Sequence, residues 1–346
     1  MKFQFSFMVI FLYLTVLVSC KKKENVVIST YTPEEWRFKT PKGFPEPNYK
    51  FENNEQSQLR FELGRFLFHD PILSSNNKIS CSSCHAQPHG FADHNVSVST
   101  GVNGLKGHRN APALINLAWN TSFMWDGGVN HIEVQPLVPL TSPHELNETL
   151  ENIVAKLNAS TFYKQKFKEA YDIDIITGQK TLQALAQFTA MLISSDTKYD
   201  QYIAGKIDFT ANEKAGLQLF RQNCTSCHRE PLFTDFSYRN IGLDIVSEDI
   251  GRELITQNPL DKGKFKVPTL RNIELTYPYM HDGRFQNLTQ LLNHHTNNAI
   301  ITSLTDNYIK NATFFTEAEK SDLIEFLKTL TDYPMIGKVM YSEPVR

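Results

Sequence analysis

Apolar residues recur along this chain at helical spacing, in several separate stretches. Leu59, Leu63, Phe66 and Leu67 share one face of a predicted helix, as do Leu150, Ile153, Val154 and Leu157. Leu182, Leu185, Phe188 and Leu192 repeat the pattern, and Leu323, Phe326, Leu327 and Leu330 form a last stripe near the C-terminus. Thr210-x-x-Glu213 and Thr316-x-x-Glu319 read as capping boxes, in which threonine and glutamate satisfy backbone N–H groups that a helix start leaves free. Gly64 precedes Phe68 by one helical turn, and Gly216 precedes Phe220 in the same way. That spacing lets one helix cross another closely, and plain core packing explains it equally well. No long stretch alternates apolar and polar residues as a strand would. The predicted fold is mostly α.

Two pentapeptides interrupt this pattern, Cys81-Ser82-Ser83-Cys84-His85 and Cys224-Thr225-Ser226-Cys227-His228. Cys-x-x-Cys-His is the attachment signature of c-type haem: the thiols add to the vinyl groups and the histidine ligates the iron. The two copies use four of the five cysteines. A four-thiolate zinc site is the competing reading, but the pairs stand 139 residues apart and each is followed by histidine. A dithiol redox pair lacks its strand–helix context here. Helix, haem motif and terminal helix is the layout of a small cytochrome c domain. The expected architecture is two such domains, each around one covalently bound haem.

The start of the chain indicates the compartment. Residues 1–19 combine Lys2 with an apolar run and read as a secretory leader; Leu17-Val18-Ser19-Cys20 resembles a lipobox that would lipidate Cys20. An ordinary signal peptide or an uncleaved anchor is the alternative. Bacterial haem attachment occurs outside the cytoplasm, so a periplasm-facing, membrane-anchored lipoprotein is expected. Removing the leader takes only Lys2 among the charged residues, so the formal charge moves from −2 to about −3, with no basic stripe to suit nucleic acid. Residues 20–50 read as a tether and peripheral arm, 51–205 as the first haem domain, 206–332 as the second, and 333–346 as a tail that can pack back on the first.

Further segments resemble the bacterial di-haem cytochrome c peroxidases and their relatives, including the methylamine-utilisation di-haem enzyme. They are Arg109-Asn110-Ala111-Pro112, Met124-Trp125-Asp126-Gly127, Gln135-Pro136-Leu137-Val138-Pro139, Val267-Pro268-Thr269-Leu270-Arg271-Asn272, and Thr276-Tyr277-Pro278-Tyr279-Met280-His281-Asp282-Gly283. The resemblance spans about residues 50 to 335, with order and spacing kept. It implies that the first haem reduces hydrogen peroxide, while the second collects electrons from a small donor protein of the cytochrome c or cupredoxin type. A homodimer is compatible with it.

The resemblance also implies roles. Glu145 matches the distal acid–base residue, although Ser142-Pro143-His144-Glu145 also reads as a helix-starting capping box. Gln135 and Pro139 match pocket-lining residues, and Trp125 the tryptophan between the haems. Asn110, Thr276 and Pro278 match the ligands of a calcium ion. Two positions depart from the peroxidase pattern. A loop histidine expected eight residues before Asn110 is Val102, and His89, His94 and His108 read as surface or loop residues. The first haem is therefore expected to be five-coordinate or to hold only water. The methionine expected fourteen residues after His281 is His295, so the second haem is expected to be ligated by His228 and His295, with His294 a neighbour on the same helix. Imidazole in place of a thioether lowers the potential. The sequence thus supports a periplasmic peroxidase, with a methylamine-utilisation-like oxidase of a partner protein as the alternative and a non-enzymatic electron carrier as a third reading.

Overall fold

Two pairs of crossing helices organise the structure, a computed structural model that describes residues 36–345. The leader, Cys20 and the start of the tether lie outside the described residues. In chain order the helices are α1 (Gln58–His69), α2 (Leu137–Thr141), α3 (Leu150–Ala159), α4 (Thr161–Tyr171), α5 (Gly178–Ala190), α6 (Lys198–Ile203), α7 (Ala211–Asn223), α8 (Glu253–Thr256), α9 (Leu288–Asn293), α10 (Asn307–Lys310), α11 (Glu317–Lys328) and α12 (Tyr333–Ile336). Strands β1 (Tyr238–Arg239) and β2 (Phe265–Lys266) form a single short antiparallel ladder.

Helix α1 crosses α5, and α7 crosses α11, each at a glycine. A Cβ on Gly64 would stand 2.0 Å from the Ala184 carbonyl oxygen, and one on Gly216 would stand 2.0 Å from that of Asp322. Both glycines are therefore required by backbone contact, which the sequence left open. The buried side of α1 is Phe61, Leu63, Gly64, Leu67 and Phe68. Leu59 departs from expectation and is 48% exposed, because the crossing at Gly64 turns Phe61 and Phe68 inward instead. Both capping boxes form, at Thr210 with Glu213 and at Thr316 with Glu319. The one read at Ser142 does not. There α2 ends at Thr141, and residues 142–145 make a turn closed by the Glu145 N–H on the Ser142 carbonyl at 3.1 Å. The next helix, α3, is capped by Thr149 instead.

Two apolar cores follow from the two crossings. The first contains Phe61, Phe68, Phe91, Trp119 and Phe188, and takes in Trp36, Phe38, Phe44 and Tyr49 from the segment read as tether and arm. Met335, Met340 and Tyr341 of the tail join the same core; the Tyr341 hydroxyl donates to the Met191 carbonyl at 2.7 Å. The second core is built from Phe220, Phe233, Leu323 and Phe326, and includes Tyr199 of α6, which precedes position 206.

The loops after each haem motif repeat one another. Asn116 and Asn272 both adopt left-handed backbone, and so do Met124 and Met280, each pair separated by the same interval. Asn116 N–H donates to the Leu192 carbonyl just past α5, and Asn272 N–H to the Leu330 carbonyl just past α11. In this frame Asn110 corresponds to Lys266 and Trp125 to His281. The two halves then clasp reciprocally: Asn110 N–H donates to the His281 carbonyl at 2.6 Å, and Lys266 N–H to the Trp125 carbonyl at 2.7 Å.

Candidate haem sites and the cavity between them

The two histidines of the haem motifs are held alike. A short turn starting at each motif brings both cysteines to one side, and the backbone then turns the histidine back. His85 Nδ1–H donates to the Phe91 carbonyl at 2.9 Å, and His228 Nδ1–H to the Phe233 carbonyl at 3.0 Å. Each bond fixes the tautomer and leaves Nε2 as the free lone pair, which is what an iron ligand requires. Burial lowers the pKa of both imidazoles and so keeps them neutral. Burial also pushes the Cys81 and Cys224 thiols up to about 12, so neither behaves as a reactive free thiolate.

Glu145 stands beside the first motif. Its charge is felt by both Cys81 and Cys84, and its backbone carbonyl accepts the Val102 N–H at 2.8 Å. Desolvation raises its pKa, against a smaller opposing effect of His144. Among the described residues no side chain donates to its carboxylate. A desolvated carboxyl with its proton affinity raised suits proton transfer. Val102 is completely buried, so the position of the expected loop histidine is filled by an apolar side chain. The nearby histidines engage one another: His89 stacks on His94 at 3.7 Å, His94 Nε2 meets the Tyr277 hydroxyl at 3.2 Å, and His108 packs on His144.

A cavity of about 720 Å³, with a mainly apolar lining, extends from Gln135, Met124 and Trp125 past His228 to His295. His295 lies in a widened π-helical turn over His294–Asn298, directly after α9; such turns re-aim side chains. Burial, with smaller contributions from His294 and His228, pushes its pKa down to about 3, so the ring is neutral. His294 is turned away and donates from Nε2 to the Ile241 carbonyl at 2.9 Å. Two neutral imidazoles on one apolar cavity, with no hydrogen bond to the His295 ring among the described residues, fit a covalent haem there.

Trp125 and Gln135 stand on the wall of this cavity. Trp125 Nε1–H donates to the Asn110 carbonyl at 2.8 Å, and the Gln135 amide reaches Met124 Sδ at 3.9 Å. Asn110, Thr276 and Pro278 line the same cavity. The Asn110 amide nitrogen donates to the carbonyls of Ser97 at 3.1 Å and Val96 at 3.4 Å. Sequence reading missed the junction beside them. Arg109 bridges Asp126 at 2.6 Å and Asp249 at 2.6 Å, and lies over the Phe265 ring, which stacks on His281 at 3.6 Å. The repeated pairs Asn116 with Asn272, Met124 with Met280 and Gly127 with Gly283 were the available signal.

Known proteins resemble this chain over most of its length. The chain matches the family described as di-haem cytochrome c peroxidase over residues 58–208. It is 31% identical to the methylamine utilization protein MauG of Methylophilus methylotrophus over 93% of this chain and 96% of that one. It is 35% identical to cytochrome c551 peroxidase of Nitrosomonas europaea over 78% of this chain and 79% of that one. A solved MauG-like protein associated with microbial copper homeostasis superposes with a TM-score of 0.84 at 32% identity, over 90% of this chain and 100% of that one.

Proposed function

We propose, from the premise that this chain belongs to the di-haem cytochrome c peroxidase family, that it reduces hydrogen peroxide at the His85 end with electrons that a small redox protein delivers to the His228 end. The observation that carries this reading is Glu145: a carboxyl of raised pKa, free of protein donors, beside the first haem motif. Family membership implies two c-type haems. When bound, the haem iron supplies an oxygen-binding site and one-electron redox chemistry.

The chain's own residues do the rest. Glu145 accepts a proton from one peroxide oxygen and returns it to the other, which leaves as water; two electrons and two further protons complete the balance. Val102 offers no ligating atom, so a side chain at that position would not compete with substrate for the first iron. Trp125, fixed through Asn110 to the second half, packs the space between the two ends. His228 and His295 would hold the second iron. A calcium ion would be held by Asn110, Thr276 and Pro278; it would require the Asn110 amide, which now donates to the Val96 and Ser97 carbonyls, turned oxygen-first. Lipidation at Cys20 would tether the protein on the periplasmic side, and mass spectrometry of the mature N-terminus checks it.

The decisive measurement is steady-state peroxide consumption with a reduced small cytochrome or cupredoxin. Glu145→Gln should lower turnover by about 10²–10⁴-fold with both haems retained. Unchanged turnover in that variant would remove Glu145 from the mechanism. A second reading, a MauG-like oxidase of a partner protein, is favoured by Val102 and by histidine rather than methionine at position 295. It predicts negligible peroxide turnover with small donors and a partner whose mass or absorbance changes. Absence of both activities would leave an electron carrier.

A further inference from the structure

One cation in the cavity wall has no carboxylate to answer it. Arg239 and Lys266 both line the cavity. Arg239 is met by Asp306 at 2.9 Å and Asp235 at 3.2 Å. Lys266 Nζ donates to the Ser122 carbonyl at 3.0 Å and, among the described residues, makes no ion pair. Asp126 is close enough for its charge to be felt, yet its oxygens are taken by Arg109 at 2.6 Å and the Gly128 N–H at 2.9 Å. Burial pushes the ammonium down to about 8 against that pull. The position itself is rigid: Lys266 pairs with Tyr238 across the β-ladder and its N–H is bonded to Trp125.

A cation desolvated against an apolar wall with one neutral partner is costly unless an anion joins it. Haem brings carboxylates of its own, its propionates. We infer that Lys266 is the countercharge for a propionate of the haem attached at Cys224 and Cys227, and that its charge offsets part of the drop in potential caused by histidine at position 295. The second clause rests on the ligation proposed above. A nearby positive charge favours the reduced, less positive iron, so it acts opposite to the exchange of thioether for imidazole. Lys266 is a positioning and tuning residue, not one that touches peroxide.

Spectroelectrochemical titration of the holoprotein, with both haems attached, tests this. Lys266→Met should shift the midpoint of the low-spin haem downward and leave the other haem nearly unchanged, while Lys266→Arg stays close to wild type. An unshifted midpoint in Lys266→Met overturns the inference, and so does Lys266→Arg shifting as far as Lys266→Met, which would mean packing alone. Lys266→Gln replaces the methionine variant if the latter fails to load two haems. The outcomes separate cleanly from the readings they build on. Loss of the peroxidase reading leaves these midpoints as predicted, and a low-spin spectrum that persists in His295→Ala removes only the offset clause.

Discussion

The two haem-motif halves share one frame and differ in what fills it. In both, a glycine lets one helix touch another, a motif histidine bonds a carbonyl five or six residues on, and a left-handed asparagine ties the loop to the end of the crossing helix. The differences lie beside the motifs. The first half sets Glu145 and buried Val102 beside its motif; the second sets His295 on the same cavity as its motif histidine. At matching positions Ile115 is buried in the first half and Arg271 in the second, where Arg271 forms a two-pronged pair with Asp200 at 2.8 Å. Shared backbone with divergent side chains is what the proposed function calls for: one frame that could place two haems, and substituents that could give them different work.

The largest expected effect breaks the second half's version of that shared position. Arg271→Ile copies the first half but leaves Asp200 without its partner, and should cost about 3–5 kcal/mol in denaturant unfolding; a loss under 1 kcal/mol (about the value of an exposed pair) would mean the pair is effectively solvated. Gly64→Ala and Gly216→Ala should each cost about 1–3 kcal/mol or more, because the new methyl meets a helix carbonyl that flexible side chains cannot move aside. If only one of the two destabilises, the crossings are not equivalent. His295→Ala should convert the second haem from low-spin to high-spin and leave the first haem's spectrum unchanged; an unaltered second haem removes His295 as a ligand.

A smaller effect concerns acid. Desolvation raises the Asp200 pKa, but the hydrogen bonds and charge of Arg271, with Thr197, outweigh it and hold it below the usual carboxylate range. A depressed folded pKa contributes stability that is present above about pH 4 and is lost as pH falls through the folded value. Wild type should therefore lose stability more steeply than Arg271→Ile as pH is lowered from about 5 to 3. Parallel curves would remove Asp200 from the acid response.

Much of this was legible from residues alone. The haem motifs, the helices around them and two capping boxes were readable because each is a local pattern, complete within a few turns. Glu145, Trp125 and His295 were found only through family resemblance, since a lone carboxylate, indole or imidazole has no local signature. The failures are equally physical. Ser142-Pro143-His144-Glu145 satisfies the letters of a capping box, yet the Ser142 carbonyl closes a turn and Gly101 packs against the His144 and Glu145 carbonyls. Leu59 has the right spacing, but a helix with apolar residues on several sides does not say which one meets its neighbour.

What the sequence by itself determined is the haem-attachment motifs and the helical scaffold: two cysteine pairs, each followed by histidine, and the caps that start the helices around them. Tertiary structure decided which loop faces which. The segments after each motif carry little periodicity, and their register comes from backbone bonds between distant strands of chain, Asn110 to His281 and Lys266 to Trp125. Those bonds carry almost no residue preference, because every residue but proline can donate them. The wall they build, with Trp125, His281 and an unanswered Lys266 on one cavity, therefore exists only in the folded chain.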